Sequence, residues 1–197
     1  MKHLIIYCHP NENSFCNSIL ERLFLELKTV NADVKIRDLY MSGFNPVLTH
    51  EDLVALGKGL ALPDVAEEQQ YIKWADIITF IYPIWWTGMP AMLKGYIDRV
   101  FCYDFAFSPC SDGLIGMLSN KKVNIVNTMR ASEDLYRGNG MIYSMQKTID
   151  EGIFEFCGMK VVKHFYFCTE PTSKVNEREA MLSQLGELVG VNHAIWY

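Results

Sequence analysis

The chain lacks a basic excess. Its 197 residues hold 18 lysines and arginines against 23 aspartates and glutamates, which gives a formal net charge of -5. Nucleic-acid binding is therefore not expected, because no surplus cation is present to neutralise phosphates. The charge is also too modest for a protein that steers onto basic electron-transfer partners. No apolar run approaches the roughly 18 residues of a membrane span, so membrane insertion is not expected either.

Paired cysteines and glycine-rich phosphate loops are also missing. The six cysteines form no C-x-x-C pair and no zinc-like spacing with histidine, so we expect no metal site and free thiols in the cytoplasm. The opening "MKHLIIYCHP" has too short an apolar run for a signal peptide. Neither G-x-G-x-x-G nor G-x-x-x-x-G-K-[ST] occurs, which argues against a Rossmann dinucleotide fold and a P-loop enzyme.

What is present is an alternation of strand-like and helix-like segments. The pattern predicts strands at 3–8, 33–39, 76–83, 122–128 and 160–169, and helices at 14–28, 64–74, 90–101, 141–157 and 176–190. Residues 41–63 are interpreted as irregular. We therefore predict one α/β domain over residues 1–197, with a parallel sheet and helices on both faces. Ligands bind such sheets beyond the carboxyl ends of the strands.

The loop after the first strand, "HPNENSF", leads directly into a helix. Helix starts carry unpaired N–H groups and partial positive charge, which suit a phosphate. His9, Asn11, Asn13 and Ser14 add polar groups there. The alternative is that Ser14 only caps the helix and His9 is an ordinary loop residue.

The loop after the third strand, "YPIWWTGMP", places two tryptophans between prolines. Neighbouring residues in an extended segment point opposite ways, so one ring can pack inward while the other faces outward. An aromatic wall beside the N–H groups of residues 84–88 suits the flat isoalloxazine ring of a flavin. The alternative is that both rings belong to the core.

The loop after the fourth strand, "NTMRASEDLYRGNG", holds Arg130, Tyr136 and Arg137. An arginine or a tyrosine near the N1 and O2 edge of a reduced flavin would stabilise its negative charge. The alternative, which the sequence favours for any one of these residues taken alone, is a solvated loop side chain.

The segment "YPIWWTGMPAMLKGYIDRVF", residues 82–101, resembles the signature of the flavodoxin-like NAD(P)H:quinone oxidoreductase family of the DT-diaphorase type. The resemblance implies strand order 2-1-3-4-5 and a bound flavin, FAD or FMN, with FAD slightly favoured. It also implies two-electron, ping-pong hydride transfer from NADH or NADPH to quinones or similar small electron acceptors. Members of the family are homodimers in which the second subunit completes the pocket.

The same resemblance implies roles for individual residues. By this resemblance Tyr136 is expected to be catalytic and Phe107 to line the acceptor pocket. Arg130 is also expected to be catalytic, because it places a cation near the flavin edge where the family has glycine. The expected cofactor-binding residues are His9, Asn13, Ser14, Phe15, Pro83, Ile84, Trp85, Trp86, Thr87, Asn127 and Thr128.

The chain departs from the family pattern at several positions. The family's histidine after the tyrosine is absent, and Ile142 and Tyr143 stand near its place. Met129 and Arg130 replace a double glycine, and Cys16 replaces an asparagine. These changes keep open a second reading, a flavin-binding regulatory subunit of a transport system. A third, a one-electron carrier, is disfavoured by the charge and by the apolar tail "HAIWY", which suggests a closed pocket or a dimer contact.

Overall fold

The structure is a computed structural model that describes residues 1–169 and 174–190. Within these residues the strands are β1 Lys2–Tyr7, β2 Asp33–Asp38, β3 Ile77–Pro83, β4 Phe107–Cys110, β5 Gly113–Gly116, β6 Lys122–Met129 and β7 Lys160–Cys168. The α-helices are α1 Phe15–Thr29, α2 His50–Leu56, α3 Pro63–Trp74, α4 Ala91–Val100, α5 Glu133–Gly138, α6 Met141–Gln146 and α7 Val175–Ser183. Helix α6 continues as a π-helix over Lys147–Glu155, and α7 as a 3-10 helix over Gln184–Leu188.

The main sheet has the order β2-β1-β3-β6-β7, and every pairing in it is parallel. This order is the predicted 2-1-3-4-5 with the two strands of a small hairpin, β4 and β5, inserted in the numbering. The fold class is therefore confirmed. Alternate residues of each strand enter two cores, as the period of two requires: Leu4 and Ile6 join one cluster, and Ile5 and Tyr7 join the other.

Helix α1 begins as the sequence predicts. The Ser14 hydroxyl accepts a hydrogen bond from the Asn17 N–H at 3.2 Å, which caps the helix. The helix then buries Ile19, Leu23 and Leu27 against the sheet. This packing fixes where the helix start lies relative to the end of β1.

The prediction that residues 41–63 are irregular was wrong over His50–Leu56. Thr49 and Asp52 cap α2 reciprocally, in a capping box. Asp52 also accepts hydrogen bonds from the buried guanidinium of Arg99 on α4, the shortest at 2.8 Å. This long-range ion pair adds to the local capping box in holding a seven-residue helix, a length that is marginal in isolation.

Three other segments differ from prediction in detail. The sequence reading missed the β4–β5 hairpin and α5, both of which are short. The predicted helix 141–157 is α6 followed by π-helical turns, and the predicted helix 176–190 is α7 followed by 3-10 turns. The tail "HAIWY" lies outside the described residues. In the part of the chain that is described, no helix has the length and apolar character needed to cross a membrane.

A buried polar group sits in the core away from the strands' carboxyl ends. The His3 ring Nε2 lies 2.8 Å from the Thr79 hydroxyl, and the Asn124 amide lies 3.5 Å from the same oxygen. Within the described residues, Nδ1 of His3 and Oδ1 of Asn124 have no hydrogen-bond partner. Burial lowers the pKa of His3 to about 4, so the imidazole is neutral in the folded protein at neutral pH.

We expect His3 to make folding acid-sensitive. The unfolded chain protonates this histidine below its ordinary pKa of 6.5, whereas the folded chain does so only near 4. Stability should fall as the pH drops through this window, by about 3 kcal/mol for this group alone. Urea unfolding from pH 7 to pH 4 should show a shallower loss for His3→Gln. The matched control is His50→Gln, which removes an exposed imidazole and should overlay the unaltered protein; an unchanged slope in His3→Gln would remove His3 as the cause.

Candidate functional site

The loops after β1, β3 and β6 meet at the carboxyl edge of the sheet and enclose a cavity of about 620 Å³. Most of the residues that the sequence singled out line it: His9, Asn13, Ser14, Phe15, Pro83, Ile84, Trp85, Trp86, Thr87, Thr128, Arg130 and Tyr136. Asn11, Cys16, Met129, Ala131, Thr169 and Arg178 complete the wall. This volume is within the usual range for a site that binds a cofactor-sized molecule.

One end of the cavity is the start of α1. The amides of Phe15 and Cys16 belong to the first turn of the helix, where N–H groups have no intrahelical acceptor. Before them the chain is held by Asn11, whose side-chain oxygen accepts from the Asn13 N–H at 2.9 Å. Such a helix start favours a negatively charged group.

The charge of the wall agrees with that preference. Arg130 and Arg178 line the cavity, and no described residue of the wall is an aspartate or a glutamate. Arg178 comes from α7, and its guanidinium lies 5.7 Å from the ring centre of Phe15. A chain of net charge -5 thus concentrates positive charge where a phosphate would meet the helix start.

Another part of the cavity wall is a tight turn that carries the two tryptophans. The Trp85 N–H donates to the Gly88 carbonyl at 3.0 Å, and the Gly88 N–H donates back to Trp85 at 3.1 Å. Trp86 and Thr87, between them, have φ of 52° and 59°, the left-handed values of a type I′ turn. Glycine and asparagine are usual there, so these two side chains are held at a cost in free energy.

The aromatic side chains of the turn are exposed to solvent. The Trp86 side chain is 100% exposed and Trp85 is 42% exposed, so neither ring is sequestered in the core. The Trp85 ring packs edge-on against His9, with ring centres 6.0 Å apart, which joins the first loop to the second. Burial lowers the pKa of His9, with a smaller opposing contribution from the backbone of Asn11.

Thr128 joins the third loop to the other two. Its hydroxyl lies 3.2 Å from the Cys16 thiol, and its carbonyl accepts from the Ile84 N–H at 2.8 Å. Burial raises the pKa of the Cys16 thiol to about 12, so the sulfur stays protonated and is not a nucleophile at neutral pH. Cys16 therefore serves here as a small polar wall residue.

Two of the predicted site residues lie elsewhere. The Asn127 side chain is fully buried and points away from the cavity: its amide nitrogen donates to the Tyr82 carbonyl at 3.2 Å, and its oxygen lies 2.7 Å from His164 Nε2. Phe107 lines a second cavity of about 340 Å³, between α2, α4 and the π-helix, instead of the first.

The profile of the family described as having the flavodoxin-like fold matches residues 1–189. The chain belongs to this flavodoxin-like family. A Haemophilus influenzae protein named as an uncharacterised NAD(P)H oxidoreductase is 38% identical over 168 residues, which cover 85% of this chain and 83% of the relative. The mouse ribosyldihydronicotinamide dehydrogenase [quinone] is 29% identical over 202 residues, 92% of this chain and 87% of the relative.

A solved structure agrees with these matches. The NAD(P)H:quinone oxidoreductase from Methanothermobacter marburgensis superimposes with a TM-score of 0.85 at 29% identity, over 95% of this chain and 96% of that one. The resemblance to flavodoxin-like quinone oxidoreductases that rested on the segment 82–101 is therefore confirmed.

Within this flavodoxin-like site, the departures at 129 and 130 fall on the cavity wall. Ile142 is buried in a small cluster with Met129, and Tyr143 is exposed; neither lines the cavity. Arg178 was missed because α7 lies far along the chain from the loops, and its spacing from them carries no local signal. Only the packing of α7 beside α1 brings the Arg178 guanidinium close to Phe15.

We expect the turn to show its backbone strain in a paired substitution. Trp86→Gly should be more stable than Trp86→Ala by about 1 kcal/mol, because glycine adopts positive φ without a steric cost. The exposed ring is lost in both variants, so burial does not separate them. At Trp85, whose φ is not positive, the order should reverse. Chemical denaturation measures both pairs, and equal stabilities for the two Trp86 variants would argue against the type I′ geometry.

Proposed function

We propose that the chain is a flavin-dependent NAD(P)H oxidoreductase that reduces quinones or similar small electrophiles by two electrons, in two separate half-reactions. The observation that carries the proposal is the aromatic turn at Trp85 and Trp86, held open in a strained conformation beside an anion-suited helix start. The names of the relatives, NAD(P)H oxidoreductase and ribosyldihydronicotinamide dehydrogenase [quinone], support it. They lend no support to a regulatory subunit.

The residues that line the cavity suit both the phosphate and the isoalloxazine ring of a flavin. Phe15, Ser14 and Asn13 at the start of α1, with His9 and Arg178 beside them, would hold the phosphate. The turn of residues 83–87 would line the flat ring, with an apolar face from the tryptophans and hydrogen-bonding groups from the backbone. FAD and FMN share this requirement, and FAD is favoured only by the resemblance.

When bound, the flavin would supply the chemistry that accepts a hydride from NADH or NADPH and passes it to the acceptor. Arg130 and Tyr136 line the cavity on the third loop, where a cation and a hydroxyl donor would stabilise negative charge on a bound flavin. Tyr136 packs against the cluster of Met129, Ile142, Met145 and Tyr166, which restricts the positions its hydroxyl can reach.

We further propose that the protein is a homodimer in the cytoplasm. Leu53 and Leu60 are more than half exposed at the rim of the second cavity, and an apolar rim of this kind suits a contact between protomers. Phe107 lines that cavity, so in a dimer it would be available to the partner's site instead of its own. The cytoplasmic location is supported by the six free cysteines.

The first test is the visible spectrum of the purified protein, with the pigment released and identified by mass. We expect a flavin band that bleaches with NADH or NADPH under anaerobic conditions and returns when a quinone is added.

Trp86→Ala should bind the flavin about tenfold more weakly, because one aromatic contact is lost. Trp74→Phe, on α3, is the control. Protein that takes up neither FAD nor FMN would overturn the proposal, and bound flavin without turnover would favour the regulatory alternative.

The second test concerns Tyr136. Tyr136→Phe should keep the bound flavin and slow its reduction by about tenfold, because one hydrogen bond to developing charge is lost. Stopped-flow bleaching of the flavin band with excess NADH measures this step directly. Tyr143→Phe removes an exposed hydroxyl outside the cavity and should leave the rate unchanged. If both variants reduce at the wild-type rate, Tyr136 has no part in the step.

A further inference from the structure

A partly buried chain of hydrogen bonds reaches the end of the strand that leads into the aromatic turn. Asp150 Oδ1 lies 2.8 Å from His164 Nδ1, and His164 Nε2 lies 2.7 Å from Asn127 Oδ1. Asn127 Nδ2 then donates to the Tyr82 carbonyl at 3.2 Å. Tyr166 stacks on the imidazole with ring centres 4.1 Å apart, and its hydroxyl lies 3.2 Å from Nδ1. The proposed function uses none of these contacts.

The partners determine the direction of the bonds that run from Asp150 through His164 and Asn127 to Tyr82. The Tyr82 carbonyl can only accept, so the amide nitrogen of Asn127 faces it and the amide oxygen faces His164. The imidazole Nε2 must therefore carry a proton and donate to Asn127. A further proton must lie between Nδ1 and Asp150, because two lone pairs would otherwise face each other at 2.8 Å. His164 and Asp150 thus form a hydrogen-bonded pair in which the imidazole donates to Asn127.

The chain ends where β3 becomes the turn. Tyr82 pairs with Asn127 across β3 and β6, and Asn127 pairs with Tyr166 across β6 and β7. The next residue, Pro83, has no N–H to give to the sheet. The end of β3 is therefore held by the Tyr82 carbonyl before Pro83 and the Ile84 N–H after it, which bonds the Thr128 carbonyl.

The backbone around the network is irregular where Asp150 and His164 meet. Asp150 lies in the π-helical turns Lys147–Glu155, and the β6–β7 register shifts between Val123 and Asn124, before His164 pairs with Ile125. π-helical turns are uncommon and occur mostly at functional sites. Here they place the Asp150 carboxylate on the face of the sheet that carries Asn127 and Tyr82.

We propose that His164 is a positioning residue for the aromatic turn. Its Nε2–H orients Asn127, and Asn127 holds the Tyr82 carbonyl, which sets where residues 83–87 leave the sheet. Asp150 orients the imidazole in turn. The role toward a bound flavin rests on the proposed function, but the effect on the turn does not. Asn127, predicted from the sequence to contact the cofactor, acts in this proposal through the backbone of Tyr82.

A matched pair of substitutions separates the two ends of the imidazole. The amide nitrogen of glutamine reaches about where Nε2 lies, so His164→Gln can keep the donor to Asn127 and lose the contact to Asp150. The shorter asparagine reaches about where Nδ1 lies, so His164→Asn can keep the Asp150 contact and lose the donor to Asn127. Both variants lose the stacking on Tyr166.

The primary readout needs no flavin. The full chain is labelled with 5-fluorotryptophan, and its ¹⁹F resonances are assigned by single Trp→Phe changes. The resonances of Trp85 and Trp86 should shift or broaden in His164→Asn and stay near wild type in His164→Gln. Trp74, at the end of α3 and outside the contacts of this hydrogen-bonded chain, is the internal reference. Titration with FMN and FAD should then give a dissociation constant about fivefold to tenfold higher in His164→Asn and within about twofold in His164→Gln.

Equal ¹⁹F shifts and equal dissociation constants in the two variants would overturn the proposal. If His164 only fills space, it should not matter which of its two ring nitrogens the substituted amide replaces. If His164→Asn does not fold, Asn127→Asp cuts the chain at its other end, since a carboxylate cannot donate to the Tyr82 carbonyl. Unmoved Trp85 and Trp86 resonances in that variant would also overturn it. If no variant and no wild-type protein binds a flavin, the proposed function fails, while the ¹⁹F comparison still decides the role of His164.

Discussion

The parallel pairing of β3 between β1 and β6 is the constraint on which the site depends. Because these strands run in one direction, the three loops that follow them emerge at one edge of the sheet. The helix start, the aromatic turn and the Thr128 loop are therefore neighbours although they lie far apart along the chain. Contacts between loops, such as Trp85 with His9 and Cys16 with Thr128, only refine an arrangement that strand direction already imposes.

The elements that could be predicted from sequence are those specified by their own residues. The apolar runs of β1, β3 and β6 identify themselves as buried strands, and Ser14 before a helical period identifies a capped helix start. Once these were known, the three loops had to converge. The prediction that Trp85 and Trp86 face a cavity follows from this, and the described structure places both in its wall.

What escaped prediction depends on distant partners. Helix α2 is held by an ion pair with Arg99, which lies 47 residues beyond Asp52. Arg178 reaches the cavity only because α7 packs beside α1. For Asn127, the sequence places the residue on the right strand, but the two-residue period turns its side chain toward His164 and away from the cavity. Each of these features depends on a contact between two residues that are distant in sequence. A single sequence gives both residues but does not show that they are in contact.

The wall with two arginines and no described carboxylate has a consequence for how molecules arrive. The protein as a whole carries net negative charge, so at long range it repels polyanions in general. Within about a Debye length of the cavity mouth, roughly 8 Å at physiological ionic strength, Arg130 and Arg178 attract an anion against this repulsion. An anionic molecule is thus attracted once it diffuses close to this opening. The surface acts as an electrostatic filter, and its selectivity weakens as added salt screens the repulsion and the attraction together.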